Sequence, residues 1–513
     1  MNHEQERFLE DLKELEQKSH ELEKGVISVS EYKAISSGFG NYPQRGGHTQ
    51  MLRLRIPGGR LQKHQIRCII YNCVQNDVPT IKMTTCQSLQ LHDISLDAVR
   101  KIVPDVMKAG IYTRGGGGNH PRNVMCSPLS GVERGEYFDV LPYAEAASEY
   151  LLSFAGRINF PRKLKVGFSN SPKNLTHVTF RDLGFAANQD GTFRVYAAGG
   201  LGNHPKLGIL IKESIPARKV LYYIGAMVEI FTEYGDYENR NRARVRYLQD
   251  TLGSERIKDI LVEKAGKLEE TQDLDVQVKN NKIDKEQKGV LKENFRIYSQ
   301  KQEGLYAVYY HPQGGFLNLE RLKKLDRLIK DMERTEIRLS PDGGMYIINC
   351  NAQEAEKLYS LTEKDTAYSE FGASVSCVGK NRCAIGVCDS QQLLQTCLKE
   401  IPEEIISADL LPKIHISGCI SSCAAHQSAP IGFRGVMKRT EKGVEPAYCI
   451  YWGGCERQYH EVIAESDTFI LAADIPCFLR ELADTLIEAD MKYEVWIKAH
   501  TEFMEELITR YSI

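Results

Sequence analysis

The sequence lacks several features that would assign it to a common class of protein. No stretch approaches the roughly 18 consecutive apolar residues of a membrane-spanning helix, so no membrane contact is expected. The first residues, MNHEQERFLEDLKELEQ, are acidic, without the basic start and apolar core of a secretory signal. We therefore expect a cytoplasmic protein.

Net positive charge is also missing. The chain of 513 residues has 66 Lys and Arg against 68 Asp and Glu, a formal net charge of −2. A globally basic surface for nucleic acid is therefore excluded, and the Arg-rich NRNRARVR has no interleaved aromatic residues that would stack on bases. No GxGxxG follows a predicted strand, so we expect neither a nicotinamide nor a flavin domain.

The chain contains a long internal repeat. QMLRLRIPGGRL and GLYAVYYHPQGGFL each lead from a strand-like stretch into a Gly-Gly turn, and a helix, two strands and a second helix follow in both cases. Lys82 falls where Arg338 falls, and Ile94 lies near the position of Ile348. A period of about 255 residues is too long for a solenoid. We interpret it as a duplicated domain, with chance likeness as the alternative.

Clustered cysteines follow the second copy of the repeat. Cys377 and Cys383 form C-x5-C, and Cys419 and Cys423 form C-x3-C within GCISSC. Four thiolates from two short loops suit either structural zinc or an iron–sulfur cluster. Zinc knuckles usually have the tighter C-x2-C spacing, so the looser spacing here favours a cluster. Zinc and unligated thiols remain the alternatives.

Cationic residues gather near two glycine-rich loops after the first copy. Strand alternation places Arg53 and Arg55 on one face, and FPRKLKVGF does the same for Lys163 and Lys165. Arg122 follows the loop GGGGNHP, which nearly recurs later as GGLGNHP. Glycine lets the backbone approach a ligand, and arginine binds oxyanions with two hydrogen bonds at once. We expect a large polyanionic ligand, although each group taken alone also fits a solvated surface.

Together these motifs resemble the siroheme-dependent sulfite and nitrite reductase family over nearly the whole chain. The resemblance is carried by MLRLRIPGG, HPRNVMCSPLSG, FPRKLKV, RARVRYL, GLYAVYYHPQGG, the C-x5-C pair, and GC-x3-C followed by IGFRG. It implies an α+β fold, in which duplicated ferredoxin-like units and two siroheme-binding α/β modules are related by a pseudo-twofold axis. The implied division is an N-terminal helix (1–25), a first ferredoxin-like repeat (26–110), a first siroheme-binding module (111–262), a charged connector (263–292), a second ferredoxin-like repeat (293–365) and a second siroheme and iron–sulfur module (366–513).

The resemblance also implies a role for each group of residues. A [4Fe–4S] cluster would be held by Cys377, Cys383, Cys419 and Cys423, and Cys423 would also bridge to the siroheme iron. The positions that match the substrate pocket are Arg53, Arg122, Lys163 and Lys165. The positions that match the rim of the macrocycle are Lys82, Gln90, Arg244 and Arg246.

The implied activity is the six-electron reduction of sulfite to sulfide or of nitrite to ammonia. The Lys163 and Lys165 pair resembles the sulfite-reducing branch, because plant-type nitrite reductases have a lysine and then an asparagine there. We expect sulfite, with nitrite as the alternative, and electrons from a separate ferredoxin or flavoprotein. A non-catalytic iron–sulfur or zinc redox carrier or sensor is the alternative from another class.

The chain departs from the family pattern at two places near these motifs. Cys86 stands where the family usually has an arginine that helps to hold siroheme. Ile420 and Ser421 replace the usual Pro-Asn within C-x3-C, and Ala424 and Ala425 replace a glycine and a polar residue. These departures indicate a divergent branch.

Overall fold

The computed structural model describes residues 3–279 and 283–513. Residues 1–2 of the predicted N-terminal helix and 280–282 of the predicted connector lie outside the described residues. The first helix, α1 (His3–Glu23), is amphipathic and buries Phe8 and Leu15, each 2% exposed. Because these side chains join the core, α1 is packed against the rest of the molecule along one face.

The first β-α-β-β-α unit follows α1. Its elements are α2 (Val29–Ser36), β1 (Asn41–Pro43), β2 (Gln50–Leu54), β3 (Arg60–Leu61), α3 (Lys63–Gln75), β4 (Thr80–Met83), β5 (Leu89–Ile94) and α4 (Leu96–Lys108). The hydroxyl of Ser95 accepts a hydrogen bond from Ala98 N and so caps the start of α4.

A mixed sheet with helices on it comes next. Its elements are β6 (Met125–Cys126), α5 (Leu141–Ser153), β7 (Val166–Ser169), β8 (Leu183–Ala187), β9 (Thr192–Ala197), β10 (Ile209–Pro216), α6 (Val220–Tyr234), α7 (Leu248–Thr251) and α8 (Ser254–Thr271). The strand order is β10-β9-β8-β7-β6, and β6, β7 and β8 run parallel. Helix α8 extends into the predicted connector, whose remaining described residues, 272–279 and 283–292, form neither helix nor strand.

The second β-α-β-β-α unit has the same element order as the first unit has from β1 onward. It consists of β11 (Ile297–Ser299), β12 (Tyr306–Tyr310), β13 (Phe316–Leu317), α9 (Leu319–Ile329), β14 (Glu336–Leu339), β15 (Met345–Cys350) and α10 (Ala352–Leu361). The two units exchange strands, because β13 pairs with β4 and β3 pairs with β14. Their sheets are therefore ordered β1-β2-β5-β4-β13 and β11-β12-β15-β14-β3, and they share one apolar core.

The last part of the chain repeats the mixed-sheet arrangement. It contains β16 (Val375–Ser376), α11 (Ser390–Glu400), α12 (Glu403–Ser407), β17 (Ile414–Ser417), β18 (Ile431–Thr440), β19 (Gly443–Trp452), β20 (Phe469–Leu471), α13 (Ile475–Glu488), α14 (Tyr493–Trp496) and α15 (Thr501–Tyr511). The order β16-β17-β18-β19-β20 mirrors the earlier sheet, with β16, β17 and β18 parallel. Phe478, Leu482 and Leu486 of α13 are fully buried and form its apolar face.

Within residues 3–279 and 283–513, no helix combines the length and the apolar character needed to cross a membrane.

Candidate active site

The four predicted cluster ligands lie beyond the carboxyl ends of a parallel strand pair. Strands β16 and β17 pair with Val375 opposite His415. Cys377 follows β16 directly, and Cys419 follows β17 after one glycine. In open α/β sheets, ligands bind outside the carboxyl ends of the strands. The chain order of the second module therefore places both cysteine loops on one edge of its sheet.

The Cys377 sulfur is held by two polar neighbours. Gly418 N donates to Cys377 Sγ at 3.2 Å, and the Ser390 hydroxyl lies 3.1 Å from the same sulfur. A side chain at position 418 would place its Cβ 2.6 Å from Cys388 O, so glycine is required there. Hydrogen bonds to a cysteine sulfur stabilise the thiolate and tune the potential of a cluster bound to it.

The remaining thiols act electrostatically on one another. Burial raises the pKa of Cys383, and the thiols of Cys377 and Cys419 raise it further. The Cys423 side chain is exposed, yet the protein around it desolvates the sulfur. This desolvation by the surrounding protein, reinforced by the thiols of Cys377 and Cys419, raises the pKa of Cys423 to about 12. The structure thus places the thiols of Cys383 and Cys423 within electrostatic reach of those of Cys377 and Cys419.

Single-ion coordination is a separate matter. In the described part of the chain, no group of three or more His, Cys, Asp and Glu side chains is arranged to hold one metal ion.

An arginine from the first repeat clamps the loop that carries Cys383. Arg45 Nη2 donates to Gly386 O at 2.6 Å, Cys383 O at 3.3 Å and Ala384 O at 3.4 Å. Arg45 N also donates to Arg382 O at 3.1 Å. The first repeat therefore holds the loop of the predicted ligand Cys383, which lies far away in sequence.

Two predicted pocket arginines are oriented by the first glycine-rich loop. Arg53 Nη1 and Arg122 Nη1 donate to the same carbonyl, Gly116 O, at 2.7 and 2.8 Å. Arg122 Nη2 donates to Gly118 O at 2.9 Å. The loop carbonyls hold both guanidinium groups without neutralising them, so the positive charge stays available to an anion.

The two predicted pocket lysines, Lys163 and Lys165, come just before β7 and flank Leu164. Leu164 between them is fully buried. Burial, followed by the charges of Arg244 and Lys165, holds the pKa of Lys163 well below its usual value. The Cys423 thiol acts on the pKa of Lys163 in the opposite direction, which places the lysine within electrostatic reach of the cluster ligands.

Lys165 has a close partner that the family pattern does not predict. Its Nζ lies 3.5 Å from Cys86 Sγ. The Cys86 thiol raises the pKa of Lys165, but burial and the charges of Arg181 and Arg244 outweigh it, so the pKa lies below the usual value.

Two predicted rim residues form a row with Arg53 across the first sheet. Arg53 pairs with Gln90, and Gln90 pairs with Lys82, in the strand register. With its amide oriented to satisfy its neighbours, Gln90 Oε1 accepts from Arg53 Nη2 at 2.6 Å. Lys82 is 4% exposed and donates to Gly314 O, and its Nζ lies 4.4 Å from the centre of the Phe316 ring. Burial lowers the pKa of Lys82 to about 8, against the effect of the Cys377 thiol.

The other two predicted rim residues lie at the second glycine-rich loop. Arg244 Nη2 bonds both oxygens of the buried Asp182 at 2.9 Å. Arg246 donates to His204 O at 2.8 Å and to Asn203 O. The amide of Gln427, just beyond Cys423, exchanges two hydrogen bonds with Gly202. This loop therefore joins Arg246 to the segment that carries the last cysteine.

Comparisons with known proteins agree with this arrangement. The family model described as the nitrite and sulphite reductase 4Fe-4S domain matches residues 117–268. The nitrite/sulfite reductase ferredoxin-like half domain matches twice, at residues 42–109 and 298–364, on the two exchanged units. The chain belongs to the nitrite and sulfite reductase family.

Similar proteins carry names from both branches of this family. The ferredoxin–nitrite reductase of Synechococcus elongatus is 28% identical over 84% of this chain and 85% of its own length. The sulfite reductase [NADPH] hemoprotein beta-component of Staphylococcus epidermidis is 26% identical over 84% of this chain and 80% of its own. The structure of the Mycobacterium tuberculosis NirA protein has the same fold, with a TM-score of 0.75 and 21% identity over 88% of this chain and 87% of that one.

Family membership confirms several predictions from the sequence. The α+β fold with ferredoxin-like units is confirmed, as is an oxidoreductase that uses siroheme and a [4Fe–4S] cluster. Relatives named for both branches support sulfite or nitrite as the substrate. The individual site residues remain predictions.

The residues present fit both cofactors. The thiols of Cys377 and Cys419 raise the pKa of Cys383 and Cys423, and a positive iron centre bound beside them would favour the thiolate form. Buried nitrogens with no hydrogen-bond partner in the described structure include Arg122 Nε, Arg244 Nε and Arg246 Nη1. Such donors suit an anionic ligand, and siroheme carries several carboxylates.

Sequence reasoning missed three residues that the structure brings to the site. They are Arg45 at the Cys383 loop, Thr85, whose hydroxyl donates to Cys423 O at 2.7 Å, and Asp182, which accepts from Lys165 N at 2.8 Å. None belongs to a spaced motif. Asp182 stands in the short stretch RDLG, whose spacing does not set it apart, so the sequence held no signal that could select it.

Proposed function

We propose that this chain catalyses the six-electron reduction of sulfite to sulfide, with Arg53, Arg122, Lys163 and Lys165 binding the anion. The observation that carries the proposal is that Lys165 Nζ lies 3.5 Å from Cys86 Sγ, while the adjacent Thr85 hydroxyl donates to Cys423 O at 2.7 Å, so the turn at Cys86 brings this lysine to the segment of the last cysteine. A [4Fe–4S] cluster would be held by Cys377, Cys383, Cys419 and Cys423, and together with siroheme it would supply the electron-transfer chemistry of the site.

The cations perform two tasks in this proposal. Arg53 and Arg122, already oriented by Gly116 O, offset the negative charge of the bound oxyanion without reorganising. Lys163 supplies protons as oxygen leaves as water. Because burial holds its pKa well below the usual value, it gives up a proton more readily than an exposed lysine does.

Nitrite is the second candidate substrate, supported by one contact in the pocket. The Cys86 sulfur lies against Lys165 and offsets part of the second lysine charge, which favours a monoanion. The electron donor in either case would be a separate ferredoxin or flavoprotein. The name of the Synechococcus elongatus relative supports ferredoxin.

Cofactor content and turnover test the proposal directly. We expect purified protein to carry one siroheme, four irons and four labile sulfides per chain, as measured by visible absorbance and by iron and sulfide analysis. A folded preparation that is colourless and free of iron would refute the enzyme assignment. With a reduced dye as donor, kcat/KM for sulfite should exceed that for nitrite, and Arg122→Gln, which removes a positive charge held by backbone carbonyls, should reduce the sulfite value more. Equal losses for both anions would remove the basis for preferring sulfite.

A further inference from the structure

Cys86 is fixed inside the substrate pocket by its backbone neighbours. It lies in the turn between β4 and β5, where the adjacent Thr85 hydroxyl donates to Cys423 O at 2.7 Å. Asn123 Nδ2 donates to Cys86 O at 3.0 Å. This turn points the Cys86 sulfur at Lys165 Nζ, 3.5 Å away. The thiol is therefore held against one of the cations assigned to the substrate.

The charges that face Cys86 come from four separate parts of the chain. They are Lys165 before β7, Arg181 before β8, Arg53 on β2, and Arg122 after the first glycine-rich loop. Burial alone would raise the pKa of the Cys86 thiol, but Lys165, Arg181 and Arg53 lower it to about 6. At neutral pH the group is mostly a thiolate.

We propose that Cys86 determines substrate preference by pairing with Lys165 and cancelling one positive charge of the pocket. The inference rests on the proposed function, because it concerns how the same site chooses between sulfite and nitrite. Fully ionised sulfite is a dianion and nitrite is a monoanion. A fixed negative charge therefore repels sulfite about twice as strongly as nitrite at the same distance. Cys86 therefore weakens the preference for sulfite that two unpaired lysines would create. It acts through Lys165 and does not itself bind the reacting atoms.

Two substitutions at position 86 separate charge from shape. Cys86→Ser keeps a small polar group beside Lys165 but removes the negative charge. We expect it to raise the ratio of kcat/KM for sulfite to that for nitrite roughly three- to ten-fold, mainly through KM for sulfite. Cys86→Asp restores a negative charge and should return the ratio to that of the unmodified enzyme. Cys68→Ser, at a half-buried thiol on α3 that bonds Asp105 O, is the matched control and should leave the ratio unchanged.

A second measurement does not depend on turnover. The tryptic peptide of residues 83–100 contains Cys86 as its only cysteine, so mass spectrometry can follow its alkylation by iodoacetamide in the holoenzyme. Thiolate reacts and thiol does not, so labelling should already be rapid at about pH 7. In Lys165→Gln, loss of the ammonium group raises the pKa of Cys86, and labelling at that pH should slow.

Each outcome supports or overturns the pairing. The proposal is overturned if the ratio of kcat/KM for sulfite to that for nitrite is the same in the unmodified enzyme, Cys86→Ser and Cys86→Asp. It is also overturned if the two variants lose both activities in parallel. Labelling that requires a pH above about 8.5, or that Lys165→Gln leaves unchanged, also overturns it. Absence of turnover with either anion would refute the proposed function instead, and the labelling result would still decide whether the pair exists.

Discussion

At the scale of single residues, the pocket cations are held mainly by backbone carbonyls. Arg53 and Arg122 share Gly116 O, and Arg246 donates to His204 O and Asn203 O. A carbonyl orients a guanidinium group but carries no full charge, so it does not cancel the cation. The sequence suggested that glycine lets the backbone reach a ligand directly. In the structure, the glycine-rich loops instead orient arginine side chains.

The buried Lys163 predicts how activity changes with pH. Its pKa is lowered by burial and by Arg244, so its cationic contribution is lost at a lower pH than for an exposed lysine as the pH rises. Arginine stays protonated throughout this range. We therefore expect Lys163→Arg, which keeps the positive charge but cannot supply the proton, to lower kcat and to extend kcat/KM to higher pH relative to its own maximum, measured from about pH 6 to 10. Lys173→Arg, at an exposed ion pair with Glu133, is the control. Coincident profiles for Lys163→Arg and the unmodified enzyme would contradict the assignment.

At the scale of elements, loops carry the four cysteines, Arg122 and the two pocket lysines, whereas strands of the first sheet carry Arg53, Lys82 and Gln90. The first glycine-rich loop, residues 115–118, passes so close to its neighbours that a Cβ at Gly117 would collide with Ser37 O and the Tyr42 ring. The same loop supplies the carbonyls that hold Arg53 and Arg122. Its close packing and its function are therefore coupled.

This coupling predicts the effect of one added methyl group. Gly117→Ala should lower the free energy of unfolding by about 1–3 kcal/mol and raise KM for the anion, because the displaced loop misplaces both guanidinium groups. Denaturant unfolding and steady-state kinetics measure the two effects. Gly266→Ala on α8, where a Cβ meets nothing within 4 Å, should be neutral or slightly stabilising. A Gly117→Ala protein as stable as the Gly266→Ala control would show that the loop is free to shift.

The contacts of Arg45 with the Cys383 loop lead to a second prediction. Arg45→Ala removes the donor to three carbonyls of the segment 383–386, so the Cys383 loop loses its attachment to the first repeat. We expect iron release to a chelator to be roughly tenfold faster, because groups that orient metal ligands have effects of this size. Arg480→Ala, which breaks an exposed ion pair with Asp484 on α13, is the control. Equal release rates in the two variants would mean that the cysteines hold the loop unaided.

At the scale of the whole molecule, strand exchange makes the two halves interdependent. The two-residue strand β3 completes the sheet of the second unit, and β13 completes the sheet of the first. Leu61 faces Ile337 in one exchange, and Leu317 faces Ile81 in the other. All four side chains belong to the core that both units share. Each half thus lacks an edge strand and part of its core without the other.

The exchange predicts that half of the chain does not fold alone. A fragment of residues 1–262 should lack cooperative unfolding and be cut rapidly by protease, because half of the shared core would be exposed. Co-expression with residues 283–513 should restore resistance to protease. A fragment of residues 1–262 that unfolds cooperatively by itself would show that the exchanged strands add little.

The sequence was most informative where a pattern is local. The C-x5-C and C-x3-C spacings identified Cys377, Cys383, Cys419 and Cys423, and the structure places the second thiol of each pair within electrostatic reach of the two first ones. The alternation around Leu164 likewise placed Lys163 and Lys165 on one face. Arg45 could not be predicted, because its contacts lie more than 330 residues away and depend on how the halves dock. The contact of Cys86 with Lys165 spans 79 residues and depends on how the first repeat packs on the mixed sheet that follows it, so it was also hidden from the sequence.

The sequence by itself determined the family, the duplicated unit and the residue types of the site, because these depend on spacing and periodicity within short segments. Only the tertiary structure decided which repeat completes which sheet, since the two-residue strands β3 and β13 have no distinctive pattern and are stabilised by their partners. It also decided that Cys86 lies against Lys165. The charge of that thiol depends on groups from four segments of the chain, and only folding brings those segments within Coulombic range.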